Sequence, residues 1–216
     1  MKAVKEFFKN IMNKDFLISI SCLMILQALI YYFIKFCQSD YHYFNSIIDS
    51  KIPFIPLSVY IYDIFYPFVF LIFYYIFCKD KKTYYNGIIA GIIGYLICDV
   101  IFYMYPTIMV RNDISGVNMD FLTSLVVKIT YLYDEPPLNC FPSIHCLFCF
   151  QVIVTTIFSK NIKVKNKIII SIISLLIIIS TLLVKQHYFY DVIGALIICI
   201  ISNIALYITK RILFKK

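Results

Sequence analysis

Charged residues are scarce in this chain, and its apolar runs are long. Of its 216 residues, 15% are Asp, Glu, Lys or Arg, whereas 62% are hydrophobic. Soluble domains have about 45–50% apolar residues. Phe16 to Cys37 contains one charge, Lys35, and Ile168 to Val184 contains none. Runs of this length can cross a bilayer, where the backbone must be helical because no water satisfies its polar groups.

Three further features are absent. There is no nucleic-acid-binding motif, so the formal net charge of +8 does not indicate a nucleic-acid partner. No A-x-A-like cleavage site follows the first apolar run, which we interpret as a retained anchor because it is too long for a signal peptide. The eight cysteines do not have the spacing of a disulfide framework. Whether Cys37 and Cys140, which both flank loops, are bonded stays open.

No internal repeat, low-complexity tract or linker divides the chain, which predicts one membrane domain at 16–208. Residues 1–15 are basic and amphipathic and predict a short interfacial N-terminal helix. A similar segment, Phe121 to Tyr133, lies in the longest loop, and residues 209–216 form a basic tail. The predicted fold is an all-α integral membrane bundle of six transmembrane helices, at 16–37, 54–78, 86–105, 143–159, 168–184 and 188–208.

The basic residues are distributed unequally between the two ends of the predicted helices. Fifteen of the 20 Lys and Arg residues lie in the N-terminal segment, in the connections 79–85 and 160–167, and at the C-terminus. By the positive-inside rule, both termini are cytoplasmic in the cell membrane. The other connections then face outward.

Two carboxylates lie within predicted spans, Asp63 and Asp99. An intramembrane carboxylate is costly and is often functional. Each could equally be a protonated or hydrogen-bonded residue of the helix packing. Both interpretations stay open.

Three polar stretches fall on the predicted outer side: Tyr105 to Arg111, Asn139 to His145, and Ser180 to Asp191. His187 and Asp191 are four residues apart, which at a helix start puts them on one face. The carboxylate can then accept the proton of one imidazole nitrogen and leave the other nitrogen free to attack. His145, in the first turn of another helix, can act as a general acid.

The same stretches supply groups for an anion. Arg111 suits bidentate phosphate contact, and Lys185 provides a point charge. Ser143 and the free backbone N–H groups at the start of the fourth span add donors, and Pro142 suits the first helical position. Together these residues predict a phosphoryl-transfer site that uses no metal or other cofactor. A zinc site at Cys140, His145, Cys146 and Cys149 is disfavoured because its Cys pair lies on an apolar helix with no second pair nearby.

These residues resemble the type 2 phosphatidic acid phosphatase superfamily, which includes lipid phosphate phosphatases and, more distantly, sphingomyelin and inositol phosphorylceramide synthases. The resemblance covers roughly residues 50 to 208. The family's second motif, Pro-Ser-x-His, matches residues 142–145, and its third, Ser-Arg-x5-His-x3-Asp, matches at Ser180, His187 and Asp191. Its first motif, Lys-x6-Arg-Pro, matches at Arg111.

The chain also departs from the family pattern. Met104 and Asn112 stand where the first motif has Lys and Pro, and Thr181 replaces the Arg of the third. Two family phosphate ligands are therefore missing, and Lys185 could substitute for one. Residues 187–192 read His-Tyr-Phe-Tyr-Asp-Val, which resembles the His-Tyr-x-x-Asp-Val motif of the synthase branch.

The resemblance implies that His187 forms a phosphohistidine, that Asp191 orients it, and that His145 protonates the leaving alcohol of a lipid phosphate. Water completes the reaction in a phosphatase, and a second lipid alcohol completes it in a head-group transferase. Two alternatives are a non-catalytic lipid transporter and a structural membrane protein that has lost activity. A transporter commonly has internal repeats or interrupted helices, which the sequence lacks, whereas the missing first-motif Lys is compatible with lost activity.

Overall fold

The apolar runs form the long helices of the molecule. The computed structural model describes residues 13–38, 40–111 and 113–213. The predicted interfacial N-terminal helix lies almost wholly outside these residues. A 3-10 turn at Pro56–Ser58 leads into the third helix. The helices are α1 Lys14–Phe36, α2 Ile47–Lys51, α3 Val59–Asp63, α4 Phe65–Lys79, α5 Lys81–Met104, α6 Phe121–Tyr133, α7 Ile144–Phe158, α8 Val164–Leu183 and α9 Phe189–Leu213.

Five helical segments of the described residues are long and apolar enough to cross a membrane. They have 20 to 25 residues, and they correspond to five of the six predicted spans. The predicted span 143–159 is α7, an apolar helix of 15 residues. At 1.5 Å per residue it is about 22 Å long, shorter than a bilayer core of about 30 Å. The five qualifying segments are Lys14–Phe36, Pro56–Lys79, Lys81–Met104, Val164–Leu183 and Phe189–Leu213.

The short helix α7 lies at the centre of the bundle. It packs against α4, α5, α8 and α9, and most of the apolar side chains of residues 144–152 are buried by protein. Glycine permits the close contact with α5, because a Cβ added at Gly87 would lie 2.5 Å from Thr155 Oγ1. This contact lies near the C-terminal end of α7 and holds that end close to α5.

The connections at the predicted outer end are tied to one another by main-chain hydrogen bonds. Strand β1, His42–Tyr43, pairs in parallel with β2, Thr107–Ile108. Asn139 N–H donates to the carbonyl of Thr107 at 2.6 Å, which joins the segment before α7 to the segment after α5. Helix α6 has the bounds predicted for the amphipathic loop segment, and Asp120 caps it.

Two local expectations can be compared with the structure. The first residue of α7 is Ile144 and its N-cap is Ser143, so Pro142 precedes the cap and the prediction that it occupies the first helical position is wrong. The open question about Cys37 and Cys140 is also answered. Both are free cysteines, and Cys37 is exposed whereas Cys140 is buried.

Candidate active site

The starts of α7 and α9 are joined directly. Ser143 Oγ accepts a hydrogen bond from Cys146 N–H at 3.2 Å, as an N-cap does. The N–H of Ser143 donates to the main-chain carbonyl of Asp191 at 3.1 Å. This contact brings His145, on the first turn of α7, next to the segment that carries His187.

The two imidazoles and the carboxylate form a continuous line of contacts. His145 Nδ1 lies 3.3 Å from His187 Nε2, and the ring centroids are 5.5 Å apart. His187 Nδ1 lies 3.3 Å from Asp191 Oδ2, and Tyr188 N–H donates to the same oxygen at 2.8 Å. Asp191 is fully buried and His187 is nearly so. The structure therefore brings together all three residues that the sequence predicted to be catalytic.

One arrangement of protons satisfies this line of contacts. If His187 Nδ1–H donates to the Asp191 carboxylate, His187 Nε2 carries a lone pair. His145 Nδ1 must then be the donor in the contact between the rings, which leaves His145 Nε2 as an acceptor. The assignment follows from the hydrogen-bond pattern, and it leaves a nucleophilic nitrogen on His187.

Tyr62 extends the line beyond His145. Its hydroxyl lies 3.2 Å from His145 Nε2, and the two ring centroids are 5.1 Å apart. Phe65, one turn further along the same span, meets the His145 ring edge-on at 4.6 Å. The sequence contained no signal for Tyr62, because it belongs to no motif and lies 83 residues from its partner.

Arg111 is close to the histidines but is already paired. Its guanidinium lies 2.7 Å from Asp134 Oδ2 and 3.2 Å from Glu135 Oε2. It also donates to Gln186 Oε1 at 2.9 Å, beside His187. Burial raises the pKa of Asp134, and the charge of Arg111 opposes that rise. The predicted phosphate ligand is thus held in a network of carboxylates.

Lys185 is bonded to main-chain oxygens. Its Nζ donates to the carbonyls of Asp49 and Ile52 at 3.1 and 2.6 Å. Its backbone is left-handed, with φ of 56°, an uncommon conformation for a residue other than glycine. Burial lowers the pKa of Lys185, and Asp49 opposes the shift. These contacts fasten the turn before His187 to the end of α2.

A cavity of about 910 Å³ adjoins the histidines. Its lining includes His145, His187 and Tyr62, and it continues along α1 from Ile20 to Lys35. Sixteen residues of helix span about 22 Å. The cavity is therefore much longer than a phosphate group, and its walls along α1 are mostly apolar.

The two carboxylates within spans have different surroundings. Asp99 is buried and accepts a hydrogen bond from Gln27 at 3.3 Å, which favours a structural role. Asp63 lines the cavity, and Thr130 Oγ1 lies 3.1 Å from both of its oxygens.

In the described part of the chain, no group of three His, Cys, Asp or Glu side chains has the arrangement of a metal site.

Long apolar helices around a part-buried His–His–Asp line define an integral membrane protein with a candidate phosphoryl-transfer centre. A family model described as the PAP2 superfamily matches residues 41–205, a range that contains all the candidate site residues. The chain belongs to the PAP2 superfamily, which confirms the resemblance seen in the motifs. No curated protein and no solved structure matches the chain.

Members of this superfamily are generally phosphatases or phosphotransferases. Membership therefore indicates a phosphatase-type activity on a lipid phosphoester. The long apolar helices agree with a protein embedded in a membrane.

Proposed function

We propose that the chain is a lipid phosphatase or phosphotransferase that cleaves a phosphoester of a lipid through a phosphohistidine at His187. The observation that carries the proposal is the line from Asp191 through His187 to His145, with 3.3 Å at each step. It supplies a carboxylate to orient the nucleophile, a nitrogen lone pair, and a second imidazole for proton transfer.

In the first step the lone pair of His187 Nε2 attacks phosphorus. The bond between phosphorus and the lipid alcohol oxygen breaks, and its electron pair stays on that oxygen. His145 in its doubly protonated form gives the Nδ1 proton to this oxygen. Asp191 stabilises the positive charge that develops on the His187 ring, because its carboxylate accepts the Nδ1–H.

In the second step an acceptor hydroxyl attacks the phosphorus of the phosphohistidine. His145 Nδ1, now unprotonated, takes the proton of that hydroxyl. The bond between phosphorus and nitrogen breaks, and the electron pair returns to His187 Nε2. The acceptor is water in a phosphatase and a lipid alcohol in a transferase.

The N-terminus of α7 and Arg111 are the proposed phosphate-binding groups. The backbone N–H groups of the first turn, beside the Ser143 cap, can donate to an anion. Arg111 is within reach through Gln186, the neighbour of the nucleophile. The two carbonyl partners of Lys185 support a role in holding the turn rather than in binding phosphate.

The proposed protein has six membrane spans, of which α7 is the fourth. Both termini are in the cytoplasm, and the active site is at the outer face of the cell membrane. The packing of α7 among four other helices accounts for its shortness, because it needs to meet little lipid. The excess of Lys and Arg at the opposite ends of the helices supports the orientation.

Replacement of His187 tests the reaction. We expect His187→Ala to abolish diacylglycerol release from short-chain phosphatidic acid or phosphatidylcholine. Incubation with a ³²P-phosphate substrate should label the unaltered protein with an acid-labile, base-stable phosphate, and this label should be absent from the variant. The matched control is His42→Ala, because His42 is the remaining histidine and stacks on Tyr105 in the loop strands. Equal release from His187→Ala and the unaltered protein would overturn the phosphohistidine at His187. Absence of release from the unaltered protein would favour a non-catalytic transporter or a structural protein.

A lipid head-group transferase is the second candidate. The observation that favours it is the cavity volume of about 910 Å³ beside the histidines, which can hold a second apolar molecule. The test is to add diacylglycerol or ceramide to the purified protein with a labelled phospholipid. Transfer of the labelled head group faster than its release into water would favour this candidate over a phosphatase.

A further inference from the structure

Three buried hydrogen-bond donors around the histidine pair have no partner among the described residues. They are Arg111 Nε, Asn139 Nδ2 and Gln186 Nε2. Buried polar atoms of native proteins are nearly always bonded, so such a group calls for an explanation. A ligand with several acceptor oxygens would satisfy donors of this kind.

Asn139 has the most distinctive position of the three. Its side chain is 4% exposed and lines the same cavity as His145 and His187. Both its amide nitrogen and its amide oxygen lack a partner. Its backbone is left-handed, with φ of 54°, and is held by the bond from its N–H to Thr107.

Gln186 immediately precedes the nucleophile in the chain and is not among the residues that line the cavity. Its side chain is 1% exposed, and its oxygen accepts from Arg111. Its main-chain N–H donates to the carbonyl of Thr181 at 2.9 Å, so the turn before His187 is fixed. Its amide N–H groups remain without a partner.

The charges near the histidines do not favour a doubly charged ligand. Arg111 is paired with Asp134 and Glu135, and Asp191 adds a third carboxylate. Lys185 is bonded to carbonyl oxygens, and Lys35, a cation that lines the cavity, donates to the carbonyl of Pro136 at 3.2 Å. A phosphate monoester carries about −1.5 to −2 charges at pH 7 because its second pKa is near 6, whereas a phosphodiester carries a single negative charge.

We propose that Asn139 donates a neutral hydrogen bond to the phosphoryl oxygens in place of the two cationic family ligands that Met104 and Thr181 replace, so that the site takes a singly charged phosphodiester lipid in preference to a phosphate monoester. This inference rests on the proposed function, because it concerns the substrate of the same His187. A neutral amide can donate a hydrogen bond to a singly charged phosphodiester. A doubly charged phosphate monoester needs positive charge nearby as well. The substrate class is therefore a phospholipid with an intact head group.

The chemistry remains the displacement at His187. The bond between phosphorus and the glycerol oxygen breaks, and that oxygen takes the proton from His145. The head-group alcohol stays on the phosphorus that is bound to His187 Nε2, and an acceptor hydroxyl then removes it. The Asn139 amide donates to a non-bridging oxygen throughout both steps.

The first test uses two substrates that differ by one charge and share a leaving group. They are dihexanoylphosphatidic acid and its methyl ester, dihexanoylphosphatidylmethanol. Dihexanoylglycerol release is measured at pH 7 under single-turnover conditions, so the rate does not depend on the acceptor. We expect release from the methyl ester to be at least about tenfold faster, because the second charge of the acid meets three carboxylates.

Equal rates, or faster release from the acid, would overturn the charge preference and leave the phosphohistidine proposal intact. If His187→Ala releases dihexanoylglycerol as fast as the unaltered protein, the proposed function itself fails. The comparison of the two substrates is made on the unaltered protein, so it decides the charge preference whatever the folding of any variant.

The second test separates the amide of Asn139 from its backbone. Asn139→Gly removes the donor and tolerates φ of 54°. Asn139→Asp keeps the shape and replaces the donor with an acceptor. We expect each to lower the single-turnover rate about 100-fold or more, the usual effect of losing one donor to a developing oxyanion.

A rate for Asn139→Gly equal to that of the unaltered protein would mean that Asn139 is present for its backbone conformation, and the proposed ligand role would fall. Elution from size exclusion in detergent establishes that each variant is folded. If Asn139→Gly does not fold, the rate of Asn139→Asp decides the donor role by the same criterion.

Discussion

At the scale of single residues, Tyr62 contacts the ring nitrogen of His145 that does not face His187. The Tyr62 hydroxyl can donate to Nε2 when the ring is neutral and can accept from Nε2–H when the ring is doubly protonated. It therefore supports both protonation states that the proposed reaction needs. Tyr62 acts through His145, so we regard it as a positioning residue.

We expect Tyr62→Phe to lower kcat about tenfold, the value of one hydrogen bond of about 1.4 kcal/mol, and to leave KM nearly unchanged. The matched control is Tyr66→Phe, because the Tyr66 ring centroid lies 6.0 Å from that of His145 and lines the same cavity. Steady-state kinetics across pH would check both variants. A change in KM with kcat unaltered would argue against positioning of the proton-transfer group.

The residues around Arg111 also explain where the motif-based prediction was incomplete. Arg111 was expected from its motif, but its partners Asp134, Glu135 and Gln186 belong to no motif. A salt bridge joins residues that are distant in sequence, so local spacing cannot predict it. The charge of the site was therefore overestimated when its cations were counted without their partners.

At the scale of helices, α7 is positioned by contacts with α5. Because Gly87 has no side chain, α5 leaves room for Thr155 at this position. The Thr155 hydroxyl also donates to the carbonyl of Gln151 at 2.7 Å. Thr155 is short and bonded, so it has little freedom to move aside. The packing of the C-terminal half of α7 against α5 therefore depends on this contact.

We expect Gly87→Ala to destabilise the protein by about 1–3 kcal/mol, the usual cost of overpacking. The matched control is Gly91→Ala on the same helix, where the added Cβ would lie 3.6 Å from Phe148, an ordinary contact. Alanine favours a helix over glycine by about 1 kcal/mol, so the control should be neutral or stabilising. The midpoint of thermal unfolding in detergent measures both, and equal midpoints would contradict the role of this contact.

At the scale of the whole molecule, two native cysteines report the orientation in the membrane. Cys37 follows α1 at the proposed outer end, and Cys78 is near the proposed cytoplasmic end of α4. Both are exposed. We expect a membrane-impermeant maleimide to label Cys37 in intact cells and to label Cys78 only after lysis.

Cys37→Ser and Cys78→Ser identify which cysteine is modified. If Cys78 is labelled in intact cells and Cys37 is not, the orientation in the membrane is opposite to the one proposed. The active site would then face the cytoplasm, and its lipid substrates would come from the inner leaflet.

We also expect lipid cleavage by the purified protein to be insensitive to a chelator. The proposed nucleophile, proton donor and phosphate-binding groups are side chains and backbone N–H groups of the chain itself. Incubation with EDTA, followed by the single-turnover assay, checks this. A large loss of rate that Zn²⁺ or Mg²⁺ restores would contradict the mechanism.

The sequence by itself determined the helices and the motif-bearing residues. A helix in lipid must satisfy its own backbone, so a long apolar run predicts a span without knowledge of its neighbours. The motifs then placed His145, His187 and Asp191 on the same side because spans alternate in direction. The bounds of α6 were predicted for a related reason, since its amphipathic pattern is local.

Tertiary structure alone decided what each of these residues touches. Tyr62, Asn139 and Gln186 acquired their places through contacts between segments that are far apart in the chain. The partners of Arg111 and Lys185, and hence the charge of the site, were decided in the same way. The physical reason is that hydropathy is a property of a local run of residues, whereas hydrogen bonds and ion pairs depend on distances that only packing sets.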